Sequence, residues 1–253
     1  MSESMTTFSL SLPLAACPGD QVLCRPAMQW PTDIQTAQAA TAYLPIIGDV
    51  YAAQFGENGE KCGFNPQSWD GRVVQPSTWP AAPIRCTPAQ IIAQFQERRY
   101  TQALAMVACW GLMWRQPKTI WGARRIETIE QTLCDCAQCI RESQSIADPW
   151  RMLTGSGDGQ LGWAAVITSK ALHFLCRSLG FTHNPPAAID GRVIRGKVWP
   201  AFRNSIPVGQ RPYNWQGNTF EAYCRYMTAI LTWSAQKNWT TTQMEATIFD
   251  QFK

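Results

Sequence analysis

The sequence has few of the residues on which several common functions depend. Only two of its 253 residues are histidines, His173 and His183, so a histidine-rich metal centre is excluded. Charged residues make up 16% of the chain, and no apolar run approaches the roughly 20 residues that a membrane-spanning helix needs. The alternation of apolar and polar residues that is typical of strands is missing from residues 86–253. These absences favour a helical protein that has no membrane span.

Cysteine, in contrast, is plentiful. The ten cysteines are irregularly spaced, in a chain of this size and without a convincing export signal, which predicts reduced thiols and a cytoplasmic location. The densest group is Cys134, Cys136 and Cys139, and on a helix these residues do not share one face. We therefore interpret them as small buried residues, and we predict neither a bound metal nor a cofactor.

Three glycines match the spacing of a dinucleotide-binding loop. They are Gly157, Gly159 and Gly162, but a helical pattern precedes them where that loop requires a strand. This context favours a turn between two helices over a nicotinamide site.

Two stretches of the chain are basic, although the net charge is only +4. Residues 85–125 carry seven basic groups against one acidic, and residues 151–212 carry eight against two. Such blocks could form a phosphate-binding face, and solvated surface charge explains them equally well. The candidates for backbone contact are Arg115, Lys118, Arg124, Arg125, Arg192, Arg195, Lys197 and Arg203.

The pattern predicts an N-terminal extension and a helical body. Residues 1–85 are rich in irregular signals, with one or two helices within residues 33–55, and residues 86–253 form the body. Thr87 and Pro88 are a strong helix start. The helices of the body are expected at about 88–97, 100–113, 124–143, 148–154, 165–179, 190–198, 218–236 and 241–252. We therefore predict an all-α fold.

A lysine and an aspartate twenty residues apart are the strongest functional signal. From Lys170 onward the pattern is that of an amphipathic helix, with Lys170 in its first turn and with His173 and Arg177 on the same polar stripe. Gly180 predicts the end of this helix, and Asp190 is placed to cap the next one. The intervening loop is long enough to bring Asp190 back to Lys170.

The flanks of this pair resemble a known superfamily. Residues 167–173 (Ile-Thr-Ser-Lys-Ala-Leu-His) and 185–193 (Pro-Pro-Ala-Ala-Ile-Asp-Gly-Arg-Val) are similar to the helix-hairpin-helix DNA glycosylases, most of all to the 8-oxoguanine glycosylase-like branch. The resemblance covers about residues 86–253. It implies a helical bundle in two lobes, with the hairpin and catalytic segment at about 155–200 and with DNA as the partner.

The resemblance also implies roles for individual residues. Lys170 would attack the anomeric carbon of the sugar, and Asp190 would position the lysine and stabilise positive charge developing on the sugar. A lysine with its ordinary pKa of about 10.4 is almost entirely protonated at neutral pH, so its environment must lower that value. An extruded base would be stacked and read by nearby side chains. The candidates for that pocket are Trp163, His173, Phe220 and Tyr223.

The sequence departs from the superfamily beside the lysine. The glycines usually found two and four residues before it are replaced by Thr168 and Val166, so a hairpin shifted upstream would have to supply the phosphate contacts. The phosphate-binding candidates are Gly157, Gly159, Gly162, Thr168, Ser169, Arg124, Arg125, Arg192 and Arg195.

The leading hypothesis is a DNA N-glycosylase, with or without β-lyase activity, that excises a modified purine resembling 8-oxoguanine or a deazaguanine. Glycosylase-like proteins of this branch also occur beside deazaguanine-handling enzymes in bacterial antiphage systems. One alternative is therefore a defence protein acting on a modified guanine, with protein partners from a defence operon. Another is a non-catalytic module that binds nucleic acid or a partner.

Overall fold

The described part of the chain is built from helices. The computed structural model describes residues 27–43, 61–62, 85–111, 120, 126–155, 157, 160–189 and 220–252. The α-helices in this part are α1 (Ile34–Tyr43), α2 (Pro88–Gln96), α3 (Tyr100–Trp110), α4 (Ile126–Ser143), α5 (Ala147–Thr154), α6 (Ala165–Ser178), α7 (Phe220–Lys237) and α8 (Thr241–Phe252). Two short antiparallel strands accompany them, β1 (Lys61–Cys62) and β2 (Arg85–Cys86). The predicted all-α class is confirmed. None of these helices is both long and apolar enough to cross a bilayer.

Local signals placed several helix ends correctly. At the start of α2 the Thr87 hydroxyl accepts the Gln90 amide at 3.3 Å, and the Gln90 side chain accepts the Thr87 amide at 2.8 Å. Pro88 occupies the first helical position, where a missing N–H costs nothing. The helix predicted at 190–198, and any second helix in the later part of 33–55, lie outside the described residues.

The end of α6 is defined by Gly180. Its φ of +92° lies in the left-handed region that favours glycine. The Phe181 amide donates to Cys176 O and the Gly180 amide donates to Arg177 O, both at 3.1 Å. These two bonds satisfy carbonyls that the helix end leaves open. The predicted stop at Gly180 is therefore confirmed, and the chain turns there into the segment that leads to Asp190.

Helix α6 lies at the centre of the described body and packs against α2, α3, α4 and α5. It begins at Ala165, so Lys170 lies in the second turn of the helix. The amphipathic interpretation is wrong: Lys170, His173 and Arg177 are only 3%, 4% and 8% exposed. The chain that returns after α6 covers His173, and the end of α3 covers Lys170.

Part of the N-terminal extension belongs to the same core. Met28, Ala39 and Ala40 are buried, and α1 packs on α7. The Trp233 indole N–H donates to Ala40 O at 2.7 Å, and the Gln29 amide donates to Gln144 O at 3.0 Å. Residues 27–43 are therefore integral to the helical body.

Candidate active site on helix α6

A hairpin leads directly into α6. After α5 the chain turns back, and the Leu161 and Trp163 amides donate to Met152 O at 3.0 Å and to Leu153 O at 2.7 Å. Gly162 has a φ of +60° and is exposed at this turn. The glycine-rich stretch therefore lies between two helices, as the sequence predicted, and the unit is a helix, a hairpin and a helix.

Lys170 extends from α6 to the end of α3. Its Nζ lies 3.4 Å from Gly111 O and 5.9 Å from the centroid of the Trp110 ring. A helix C-terminus carries partial negative charge, and an indole face attracts cations. Both groups thus attract the protonated form of the amine, and nucleophilic attack requires the amine to release its proton.

Gly111 leaves the room that the amine occupies. A Cβ at this position would lie 2.9 Å from Lys170 Nζ, 3.1 Å from Lys170 Cδ and 3.2 Å from Val107 O. The first two contacts are with the mobile end of a flexible side chain, so a side chain at residue 111 would displace the amine at little cost to the backbone. Gly111 therefore determines where the amine can lie.

The segment after α6 is extended and buried. The residues from Pro185 to Ile189 have no regular secondary structure, and all of them are buried. Buried backbone groups need hydrogen-bond partners, and side chains of α6, α7 and α8 supply them here. We call residues 185–189 the buried segment.

Hydrogen bonds from α7 and α8 hold the first half of the buried segment. Thr241 Oγ1 donates to Pro185 O at 3.1 Å. Tyr223 Oη donates to Ala187 O at 2.8 Å, and the Ala187 amide donates to Met227 Sδ at 3.2 Å. Burial raises the pKa of Tyr223 well above its ordinary value, which keeps this donor protonated.

Hydrogen bonds from α6 hold two further residues of the buried segment, Pro186 and Ile189. His173 Nδ1 donates to Pro186 O at 2.7 Å, and the Ile189 amide donates to Ser169 Oγ at 3.0 Å. Ser169 directly precedes Lys170, and Ile189 directly precedes Asp190. Asp190 itself, with its predicted capping role, lies outside the described residues.

His173 is a neutral structural histidine. Pro186 O can only accept, so Nδ1 carries the proton, and Nε2 accepts from Arg177 Nη1 at 3.4 Å. Burial, helped by the charge of Arg177, lowers the pKa of His173 to about 3. Its ring lies parallel to that of Trp110, with centroids 6.5 Å apart. Both ring nitrogens are occupied by the protein.

The predicted base-pocket aromatics are packed inside the protein to different degrees. Trp163 is fully buried, and its indole N–H donates to Ile120 O at 2.8 Å. Tyr223 is also fully buried and stacks on Trp150 at 4.4 Å, whereas Phe220 is partly buried beside Trp150. The polar groups of Trp163 and Tyr223 therefore bind backbone, and a role in base recognition stays a prediction.

The residues predicted to bind phosphate differ in how exposed they are. Gly157 and Gly162 are exposed at the hairpin, and the Gly157 amide donates to the Gln160 side chain at 2.7 Å. Thr168 and Ser169 are fully buried, so the side chains of these two candidates are not accessible to a phosphate. The remaining candidates lie outside the described residues: Gly159, Arg124, Arg125, Arg192 and Arg195.

The thiols of α4 behave as core side chains. Cys136 is buried, with its sulfur 3.7 Å from Met152 Sδ, and burial raises its pKa above the ordinary range. Cys134 and Cys139 are partly buried on the same helix. Among the described residues no group of three or more histidine, cysteine or acidic side chains is arranged to hold a metal ion.

Sequence reasoning missed three contributions to the site. Trp110 and Gly111 were not among the predicted site residues, and the anchoring of Ile189 by Ser169 was not foreseen. Gly111 could have been found from its place directly after the tryptophan, at the end of a predicted helix. The contact between Ser169 and Ile189 had no local signal.

The two helices α5 and α6, joined by this turn, form a helix-hairpin-helix unit, and Lys170 lies on its second helix. Residues 56–249, well over half of the chain, match the sequence model of the family described as "Putative 8-oxoguanine DNA glycosylase OGG-like protein". The chain belongs to this family, which confirms the resemblance based on residues 167–173 and 185–193. No curated protein and no solved structure matches the chain.

Proposed function

We propose that the protein is a DNA N-glycosylase in which Lys170 attacks the anomeric carbon of a sugar carrying a modified purine. The observation that carries the proposal is the placement of Lys170 on a central helix behind a hairpin, with Ile189, the neighbour of Asp190, hydrogen-bonded to the residue beside the lysine. Family membership supports DNA as the partner.

The proposed reaction begins with the unprotonated amine. The Nζ lone pair forms a bond to the anomeric carbon while the glycosidic bond breaks, and its electron pair leaves with the base, which takes up a proton. The attacking nitrogen then loses a proton and the sugar ring oxygen takes one up as the ring opens, which gives a protonated Schiff base between the anomeric carbon and Lys170. In a lyase step, loss of a proton from C2′ breaks the C3′–O bond and expels the 3′ phosphate. Asp190 stabilises the positive charge that develops on the sugar.

DNA would approach from the hairpin side. Gly157 and Gly162 are exposed there, and glycines let a backbone approach a phosphate closely. We assign the phosphate contacts to this turn and to the basic residues Arg124, Arg125, Arg192 and Arg195. The identity of the base follows from none of the described side chains, so 8-oxoguanine and deazaguanine-type bases are both substrates to test.

A second candidate function is a non-catalytic module that binds nucleic acid or a protein partner. The observation that favours it is the start of α6 at Ala165, with Val166 and Thr168 in the helical turn where the superfamily usually has hairpin glycines. A module of this kind would bind DNA without releasing a base, and its binding would weaken as salt rises.

Borohydride trapping separates these functions. Single- and double-stranded oligonucleotides would each carry an 8-oxoguanine, a 7-deazaguanine derivative or an apurinic site. We expect the parent protein to form a covalent adduct with at least one of them, and Lys170→Gln to lower the rate by at least about a thousandfold. Lys237→Gln, at the last residue of α7, is the matched control and should trap as the parent does.

One outcome would contradict the role of Lys170, and another would contradict the glycosylase function. An adduct that persists in Lys170→Gln would assign the nucleophile to another residue. A folded parent protein that binds these oligonucleotides, releases no base and forms no adduct would favour the binding module.

A further inference from the structure

Ser169 is fully buried next to Lys170, and its hydroxyl makes two hydrogen bonds. The hydroxyl donates to Val166 O at 3.2 Å within α6 and accepts the Ile189 amide at 3.0 Å. The first bond orients the oxygen, and the second binds a chain segment twenty residues away. The side chain therefore connects α6 to the end of the buried segment.

This connection lies directly beside both residues of the proposed catalytic pair. Consecutive Cα atoms are about 3.8 Å apart, so fixing Ser169 to Ile189 limits where the chain enters Asp190 relative to Lys170. The other anchors hold residues that are farther from Asp190 in the sequence, since His173 binds Pro186 and Tyr223 binds Ala187.

We propose that Ser169 is a positioning residue that holds Ile189, the residue before Asp190 in the sequence, beside Lys170. The inference rests on the proposed glycosylase function and deepens it. Without the Ser169 hydroxyl the buried Ile189 amide loses its acceptor, and a buried donor without a partner is strongly disfavoured. The end of the buried segment then shifts to find another partner.

Thr168 provides a matched control on the same helix. It is as fully buried as Ser169, but its hydroxyl has no hydrogen-bond partner in the described part of the chain. Thr168→Val and Ser169→Ala thus each remove a buried hydroxyl from neighbouring positions, and only the second removes a contact to the buried segment.

The test is a single-turnover measurement. The probes are three forms of one duplex, which carry an 8-oxoguanine, a 7-deazaguanine derivative or an apurinic site. The measured quantities are the release of the base and the yield of the borohydride-trapped adduct. We expect Ser169→Ala to lower the rate constant by about a hundredfold, as a misplacement of about 1 Å can do. Reaction amplitude and DNA affinity should stay near the parent values, Thr168→Val should match the parent, and Ser169→Thr should recover most of the rate.

The amplitude and the rate constant separate positioning from folding. A Ser169→Ala protein with a reduced amplitude and the parent rate constant has only lost folded molecules, and this result overturns the proposal. A parent rate constant with full amplitude overturns it too, while the proposed function stands. If the parent protein itself processes none of the probes, the proposed function fails first, and the role of Ser169 in it fails with it.

Discussion

The chain on the two sides of α6 is held in different ways. Before α6, the hairpin of residues 155–164 exposes Gly157 and Gly162, and the Gln160 side chain folds back over its own loop. After α6, the buried segment has backbone groups bound by side chains from three helices. The glycines of the hairpin are exposed, although Leu161 and Trp163 beside them are buried. The buried segment, in contrast, is enclosed along its whole length and is fixed by distant parts of the chain.

The residues that replace the expected glycines lie at the start of α6, between these two sides. Val166 is partly buried and Thr168 is fully buried, and both are helical. The buried segment contacts α6 after both positions, at Ser169 and His173. The hairpin and the buried segment therefore meet α6 at different turns.

The largest expected effect comes from protonating His173, which would destabilise the packing of the buried segment on α6. Its pKa is about 3 in the folded protein and about 6.5 in an unfolded chain, so the unfolded state takes up the proton first as the pH falls. The free energy of unfolding should therefore be highest above about pH 6.5 and fall toward pH 3 by up to about 1.4 kcal/mol per pH unit. Urea unfolding at a series of pH values measures this slope.

Two substitutions test the assignment of this slope. His173→Asn keeps a donor toward Pro186 O but does not titrate, so its stability should depend less on pH. His183→Asn, at the exposed histidine, is the control and should keep the parent slope. An unchanged slope in His173→Asn would show that another group causes it.

A second, smaller effect is expected when one hydrogen bond of the buried segment is compared with one of the hairpin. Tyr223→Phe leaves Ala187 O buried without its donor and should cost about 1–3 kcal/mol of unfolding free energy. Gln160→Ala removes an exposed bond to the Gly157 amide, which water can replace, and should change stability by less than about 0.5 kcal/mol. Urea unfolding at neutral pH compares the two. Equal costs would mean that the two sides are held alike.

The smallest expected effect is at Gly111. Gly111→Ala would place a Cβ 2.9 Å from Lys170 Nζ, and we expect the amine to move while the helices stay in place. The single-turnover rate should fall by about tenfold, with thermal stability close to that of the parent. A loss of stability equal to the loss of rate would show that Gly111 serves packing alone.

The sequence predicted the elements that depend on local chemistry. Thr87, Pro88 and Gln90 determine the start of α2 among themselves, and Gly180 determines the end of α6 by its backbone conformation. The order of Lys170 and Asp190 also identified the family, because flanks and spacing are properties of the linear chain.

The parts that sequence reasoning missed depend on distant contacts. The position of the Lys170 amine is determined by Gly111, 59 residues earlier, and the buried segment is held by residues up to 56 positions away. The polar stripe of α6 was interpreted as one face of an amphipathic helix because its partners are backbone carbonyls, such as Pro186 O, which no side-chain pattern indicates. Burial of polar residues is predictable only when their partners are known.

The packing of residues 27–43 has a consequence for where the folding unit begins. The family match starts at residue 56, but Met28 and Ala40 already lie in the core, and Trp30 donates to Asn184 O just before the buried segment. A shortened protein that starts at the family boundary would leave the Trp233 indole without Ala40 O and uncover the face of α7 against which α1 packs. The evolutionary unit recognised by sequence and the physical unit that folds therefore have different first residues.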